Sequence, residues 1–405
     1  MRTKHTSHPL PSFPVYSSAF VSPNEFVLGG GGGQSKTGIK NKLRLYRIEG
    51  DSRLELLNEL ELASGEDAPM SMAAHPSRSE IVGGINSSED ALKSGPNRNC
   101  RVYSVKENKI SFSDACSTIQ LNGEDDDFQK VTVFSPNGKY LAVGGTRDLS
   151  VLHYPSLTPV ATPIHLEKGE MYDAAFSSST LVVATTVNLL VYALPSEAEG
   201  DTAEKSKDSR SISSELLHTI DRPTLPGKDA GSSFRAVRFH PSDEKTLYTV
   251  SNTVPPKTRS KSSPRRAFVV KWNTDTWTAT KVRQISDRGV TCFDVSPDGK
   301  LLAFGSSDLT VGVLDAQSLA PLLTILKAHE FPPTTLRFSP HSDILVSGSA
   351  DNTIRVATIP VGLGATSWGT WLLFIVALLV LLFAILAKQW PRALTDVLSE
   401  VPPLQ

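Results

Sequence analysis

Cysteine is almost missing from this chain of 405 residues: only Cys100, Cys116 and Cys292 occur. Their spacing shows no paired pattern, so neither a disulfide framework nor a thiolate metal centre is indicated, and a reducing compartment fits. An excess of charge of either sign is also missing. Lys and Arg total 41 against 42 Asp and Glu, a net charge of -1. That balance gives no global attraction to nucleic acid or anionic lipid, and no nucleic-acid partner is expected. The first residues, MRTKHTSHPLPSFPVYSS, lack the apolar core of a secretory signal. The body of the chain is therefore expected to stay in the cytosol. No nucleophile stands in a pattern with a base. His75, His153, His240 and His329 are isolated, at repeat turns or strand ends, so covalent enzyme chemistry is not expected.

What the chain does have is one long apolar run near its end. From Trp368 to Ala387 the sequence WGTWLLFIVALLVLLFAILA carries no charge. As a helix it would span roughly 30 Å, the thickness of a bilayer's hydrocarbon core. Trp368, Trp371 and Trp390, with Lys388 and Arg392, suit the two interfaces. The expectation is one C-terminal transmembrane helix over 368–387, preceded by a linker at 361–367 and followed by a short tail at 388–405. A count of Lys and Arg near the span, only Arg355 before it, favours the reverse orientation. It is outweighed by the difficulty of moving a large folded body without a signal. The tail is placed in the lumen, and the length of the span suits the thinner endoplasmic reticulum bilayer.

The rest of the chain, 1–360, repeats. Seven times an apolar strand follows a small or Pro-containing turn and leads to a second alternating strand, as in VFSPNGKYLAVGGTRDLSVLHY and RFSPHSDILVSGSADNTIRVATI. The units recur at roughly 42 to 63 residues, the spacing of propeller blades rather than of strand–helix–strand units. A four-stranded blade cannot cover both its faces alone, so blades pack radially and share a core. The expected fold is all-β, a seven-bladed WD-like propeller. Lys327-Ala328-His329 and Ser349-Ala350-Asp351 are the best remnants of the Gly-His and Trp-Asp signatures. The last unit stops at its third strand, and the segment before Tyr16 is expected to supply the fourth, as a weak edge containing Pro9, Pro11 and Pro14.

Inserts near 196–214 and 255–266 are polar and expected to be disordered. The second carries Lys257, Arg259, Lys261, Arg265 and Arg266, enough for a weak lipid contact but read first as a solvated loop. The acidic run Glu124 to Asp127 lacks the ligand alternation of a calcium loop and reads as a solvated turn. Asn86-Ser87-Ser88 matches a glycosylation sequon that a cytosolic body would leave unused.

The most unusual local sequence is LGGGGGQSKTGIKNKLRLYRI, with Gly29, Gly30, Gly31, Gly32 and Gly33 in a row between two strands of the first unit. Gly30 to Thr37 nearly fits a phosphate-binding loop, but Ser35 replaces the last glycine and a strand follows where a helix should. Glycines without Cβ atoms can instead turn several carbonyl oxygens inward as a cage for a hard cation, with Asn41 adding a side-chain oxygen. Such a loop would present Ile39 as an exposed apolar tip among Thr37, Lys40 and Asn41. A flexible connector with Ile39 folded back on the blade is the alternative.

Five glycines followed by QSKTGIKNKL, in the first blade of a WD-like propeller with a C-terminal anchor, resemble the membrane-bound guanine-nucleotide exchange factors of the endoplasmic reticulum. This is the prolactin regulatory element-binding protein family, which activates the Sar-type small GTPase that begins COPII coat assembly. The resemblance covers the architecture, and its specificity rests on this loop. It implies that the loop holds a potassium ion, at Gly29 to Gly33 and Asn41, and contacts the GTPase through Thr37, Gly38, Ile39, Lys40 and Asn41. It also implies that Ile39, with Asn41, acts in nucleotide exchange without covalent catalysis. The competing function is a membrane-tethered propeller that only scaffolds other proteins.

Overall fold

The computed structural model describes residues 3–34, 38–50, 52–121, 127–195, 214–227, 231–254, 265–364 and 368–399, with helix side chains after 364 only at 372–386 and Lys388. The chain divides into two units, Met1–Pro360 and Val361–Gln405.

The first unit is built from seven antiparallel sheets of four strands each. After an initial strand β1 (His5–Pro9), the first sheet comprises β2 (Val15–Phe20), β3 (Glu25–Gly30), β4 (Lys42–Glu49) and β5 (Arg53–Glu61), in that order. The next comprises β6 (Ser71–Ala74), β7 (Glu80–Gly84), β8 (Cys100–Lys106) and β9 (Lys109–Cys116). Second strands such as EFVLGG, YLAVG and LLAFGS are buried almost throughout. They are covered on both faces by neighbouring blades, which is why they read as continuous apolar runs ending in small residues rather than as an alternation. The fourth strands are largely exposed: Leu216–Asp221 has no buried residue. Burial thus falls from the second strand outward.

The recurring Ser-Pro turn joins the first and second strands of a blade. Ser135, Ser296 and Ser339 each accept, through the hydroxyl oxygen, the N–H of a residue entering the next strand: Tyr140 at 2.9 Å, Leu301 at 2.9 Å and Ile344 at 3.0 Å. The fourth turn residue closes the turn with φ of 72° at Gly138 and Gly299 and 62° at Ser342. Bonds between blades line the central channel, a cavity of about 560 Å³. Ser17 donates to Pro69 O at 2.6 Å, Thr291 to Pro333 O at 2.6 Å and Thr334 to Val15 O at 2.6 Å. Asp173 and Asp294 each accept a backbone N–H from the following blade, Val237 and Phe338, both at 3.0 Å.

The ring closes as the sequence implies. β1 pairs antiparallel with the strand Thr353–Thr358, from His5 opposite Ala357 to Pro9 opposite Thr353, and completes the last blade. Pro9 is tolerated at the outer edge, where a missing N–H costs little. Pro11 and Pro14 lie beyond the strand.

Two expectations are revised. Arg266 joins the edge of a strand rather than the insert, its O accepting Thr253 N at 2.8 Å and its guanidinium lying over Phe268, while Arg265 is exposed just before it. The remainder of the two inserts, 196–213 and 255–264, lies outside the described residues. Asp127 is no solvated turn, since its carboxylate accepts the N–H of Thr146 at 3.0 Å and its hydroxyl at 2.7 Å. Glu124 to Asp126 are not among the described residues. In the second unit the terminal helix runs Trp368–Ser399, well past the expected boundary at 387. Among the described residues no helix is long and apolar enough to cross a membrane. The side chains described there, 372–386, are exposed.

The WD remnants form a buried polar cluster. His329 Nε2 lies 2.8 Å from Ser347 Oγ, and Nδ1 lies 2.9 Å from Thr353 Oγ1 and 3.5 Å from Asp351. Asp351 also accepts the N–H of Thr353 at 2.9 Å and of Glu330 at 2.6 Å. Burial pushes the His329 imidazole down from 6.5 to about 4. The unfolded chain therefore binds the extra proton first, so stability present at neutral pH is lost as pH falls through 6.5 towards 4. His8 and His75, also lowered by burial, act with the same sign. Urea unfolding at pH 7 and pH 5 should show this loss, and His329→Gln should be less stable at pH 7 with a flatter pH dependence.

Candidate functional site

The glycine run divides between strand and loop. Gly29 and Gly30 end β3 and pair on both sides, with Ser17 and Val15 of β2 and with Leu43 and Lys42 of β4. They are small because neighbours crowd them: a Cβ on Gly29 would lie 2.5 Å from Ser17 Oγ, and one on Gly30 2.2 Å from Pro14 O. The five-glycine cage is thereby narrowed, because strand carbonyls are directed into the ladder and only Gly31 to Gly33 lie beyond it. Gly31 has φ of 142° and Gly33 of 70°, backbone that L side chains adopt at a cost. Residues 35–37, including Thr37, lie outside the described residues.

Asn41 holds the loop in shape. Its side chain is buried, accepts the Gly33 N–H through Oδ1 at 2.9 Å, and donates through Nδ2 to Gly33 O at 2.9 Å and Glu66 O at 2.7 Å. Its own carbonyl accepts Leu62 N at 2.9 Å. The amide thus imitates a strand partner for Gly33 and ties the loop to the segment entering the second blade. The side-chain oxygen expected to face a cation accepts the Gly33 N–H. A second brace is Gly31 N, which donates to Pro14 O at 3.0 Å, beside the ring closure.

Gly38 and Lys40 are exposed, and Ile39 between them is partly exposed, intermediate between an exposed tip and a side chain folded back on the blade. Lys40 forms an ion pair with Glu61 at the end of β5. Gly38 has φ of 77° with open space around it, so conformation and not crowding selects glycine there.

Two acids missed by the sequence reading stand under the loop. The Asp67 carboxylate lies 3.4 Å from where a Cβ on Gly33 would be, and it accepts the N–H of Ala68 at 2.7 Å and of Gln34. Desolvation raises its pKa, and no ion pair joins it to a cation among the described residues. Glu66 pairs with Arg101 of β8 at 2.7 Å, both largely buried. No three His, Cys, Asp or Glu side chains converge on a metal position among the described residues. The oxygens near the loop are hard ones: its backbone carbonyls, of which Gly33 O accepts Asn41 Nδ2, and the Asp67 carboxylate. That donor set fits potassium in kind. Nothing local in the sequence marked Asp67, which reaches the loop only through the turn between blades.

The histidines at the repeat turns serve the fold. His75 Nδ1 accepts the N–H of Ser77 and Arg78, at 3.1 and 3.0 Å, and its ring lies between Phe134 and Tyr154.

Fold and loop together define a WD-type β-propeller carrying one braced, glycine-rich loop on its first blade. A family model described as "WD domain, G-beta repeat" matches residues 280–315 and 320–356. The chain is 23% identical to the guanine nucleotide-exchange factor SEC12 of Candida glabrata, over 88% of this chain and 72% of that protein. It is 26% identical to SEC12-like protein 2 of Arabidopsis thaliana, over 80% of this chain and 74% of that one. With SEC12 of Rattus norvegicus it shares 23% identity over 93% and 95% of the two chains. Over most of its length the chain is similar to the SEC12 guanine nucleotide-exchange factors.

Asn41→Ala removes three side-chain hydrogen bonds that hold the loop. Global stability should fall by about 1–3 kcal/mol. Hydrogen exchange at Gly33 and Leu62 should accelerate at least about tenfold while the other blades stay protected.

Proposed function

We propose that this protein is a guanine-nucleotide exchange factor that promotes GDP release from a Sar-type small GTPase at the endoplasmic reticulum membrane, the step that begins COPII coat formation. The observation that carries the reading is the braced loop placing Ile39 between two exposed residues, in a chain similar to SEC12 factors over most of its length.

A small GTPase holds its nucleotide through phosphate and magnesium contacts. An exchange factor must therefore bind the empty GTPase more tightly than the loaded one, and each ligand then weakens the other by the same factor. Ile39 is the apolar contact that favours the empty conformation. Asn41 acts as a positioning residue, because its amide is spent on Gly33 and Glu66 rather than offered to a partner. Gly38 and Lys40 frame the contact, Lys40 steered by Glu61. No covalent step is required. A potassium ion held by the carbonyls of Gly31 to Gly33 and by Asp67 would supply a fixed positive charge that stiffens the loop. The apolar run 368–387 anchors the propeller, which faces the cytosol while the tail faces the lumen. Tethering places the activated GTPase at the surface where it acts.

GDP release from a purified Sar-type GTPase, followed with a fluorescent nucleotide, tests the assignment. Stimulation by the wild-type chain is expected, and Ile39→Ala should lower it at least about tenfold, near 1.4 kcal/mol of lost coupling, with unchanged thermal unfolding. Stimulation at the wild-type rate by a folded Ile39→Asp variant would remove Ile39 from the mechanism. Replacing potassium by sodium should slow exchange by the wild type, and Asp67→Asn should abolish that difference.

A further inference from the structure

Cys100 and Cys116 look unrelated in sequence, but the register of β8 and β9 sets them directly opposite one another. Facing residues of an antiparallel pair share one face with Cα atoms about 4.5–5.5 Å apart. A disulfide takes about 4.4–6.8 Å. The pairing thus brings the two cysteines together at the end of the sheet. Neighbouring bonds hold this arrangement: Asn99 Oδ1 accepts the N–H of both Thr118 and Ile119 at 3.0 Å, and Arg98 donates to Ala115 O at 2.7 Å. These staples clamp the end of β9 to the start of β8, so the two backbones cannot drift apart at the cysteines without breaking them.

The two cysteines differ in access. Cys100 is fully buried among Leu141, Val143, Leu152 and Tyr154, whereas Cys116 is partly exposed at the strand end. The facing Cys100 thiol and the nearby Arg98 guanidinium favour the Cys116 thiolate, opposed by burial and by Asp114. Cys292, by contrast, has no cysteine opposite it and burial pushes its thiol up to about 11. This gives one attacking and one resolving sulfur, the division found in redox-active pairs.

We propose that Cys100 and Cys116 form an oxidisable dithiol, a modification site in the second blade that reacts with a small peroxide and closes to a disulfide. The Cys116 thiolate attacks one peroxide oxygen, so an S–O bond forms, the O–O bond breaks and the departing hydroxide takes up the proton that Cys116 had released. The Cys100 sulfur then attacks Cys116, forming the S–S bond and breaking S–O. The second hydroxide leaves with the Cys100 proton as water. The pair loses two electrons and the peroxide becomes two water molecules. A bulky oxidant is disfavoured at this site because Cys100 is buried and Cys116 is only partly exposed.

The test uses the full chain, reduced, treated with hydrogen peroxide, then alkylated under denaturing conditions and mapped by mass spectrometry. The expected result is loss of two of the three thiols and a peptide crosslinked between Cys100 and Cys116, reversed by dithiothreitol, with Cys292 fully alkylated. In Cys100→Ser the sulfenic acid at Cys116 should persist and be trapped by dimedone. In Cys116→Ser, Cys100 should remain a thiol. Circular dichroism checks that both variants fold. Conversion of wild-type Cys116 to sulfinic acid with Cys100 still alkylatable would overturn the proposal. So would oxidation of Cys292 at the same dose that leaves the pair reduced.

Discussion

Everything in the first unit depends on closing the ring. A four-stranded blade has two apolar faces and cannot bury both, so each blade is stable only between two neighbours, and the first and last blades become neighbours only if the circle closes. The pairing of His5–Pro9 with Thr353–Thr358 accomplishes this with backbone hydrogen bonds between segments separated by almost the whole propeller. Thr334 and Ser18 reinforce it, the first donating to Val15 O and the second bonded to Thr335 at 2.7 Å. Opening that seam exposes the core shared by the first and last blades, where Phe13, Val15 and Phe26 pack with Val346 and Val356.

The glycine loop inherits its rigidity from the closed ring. Its bonds reach Pro14 on the closing side and Glu66 on the side of the second blade. Glu66 is in turn fixed by Arg101. A run of glycines is the least ordered of sequences when isolated, because each residue loses more conformational freedom on folding than any other. Here the order comes from elements already fixed by the propeller. On the exchange-factor reading proposed above, one apolar contact would be presented at low entropic cost because a short loop is mounted on a rigid blade.

Most of the scaffold was legible in the sequence, since it rests on local signals repeated seven times. The Ser-Pro turns mark where first strands end, the apolar runs mark second strands covered on both faces, and the missing last strand pointed to the N-terminal segment. The candidate site was legible in part. Five glycines and the Gly38 to Asn41 portion identified the loop, but not that Gly29 and Gly30 are strand residues selected by crowding from Ser17 and Pro14. Asn41 was read as a ligand because an amide oxygen suits a cation. Its burial beside Gly33 makes it a brace. Asp67 carried no local signal at all.

The sequence by itself determined the repeat, the closing strand and the apolar run near the end, because hydrophobic periodicity and turn chemistry act between residues near in the chain. Only the tertiary structure decided which distant residues meet. It set Asp67 and Glu66 under the glycine loop, placed Cys100 against Cys116, and carried the terminal helix on to Ser399. Strand register and blade order are fixed by burying both faces of seven sheets at once, and that is a condition on the whole ring which no single segment encodes.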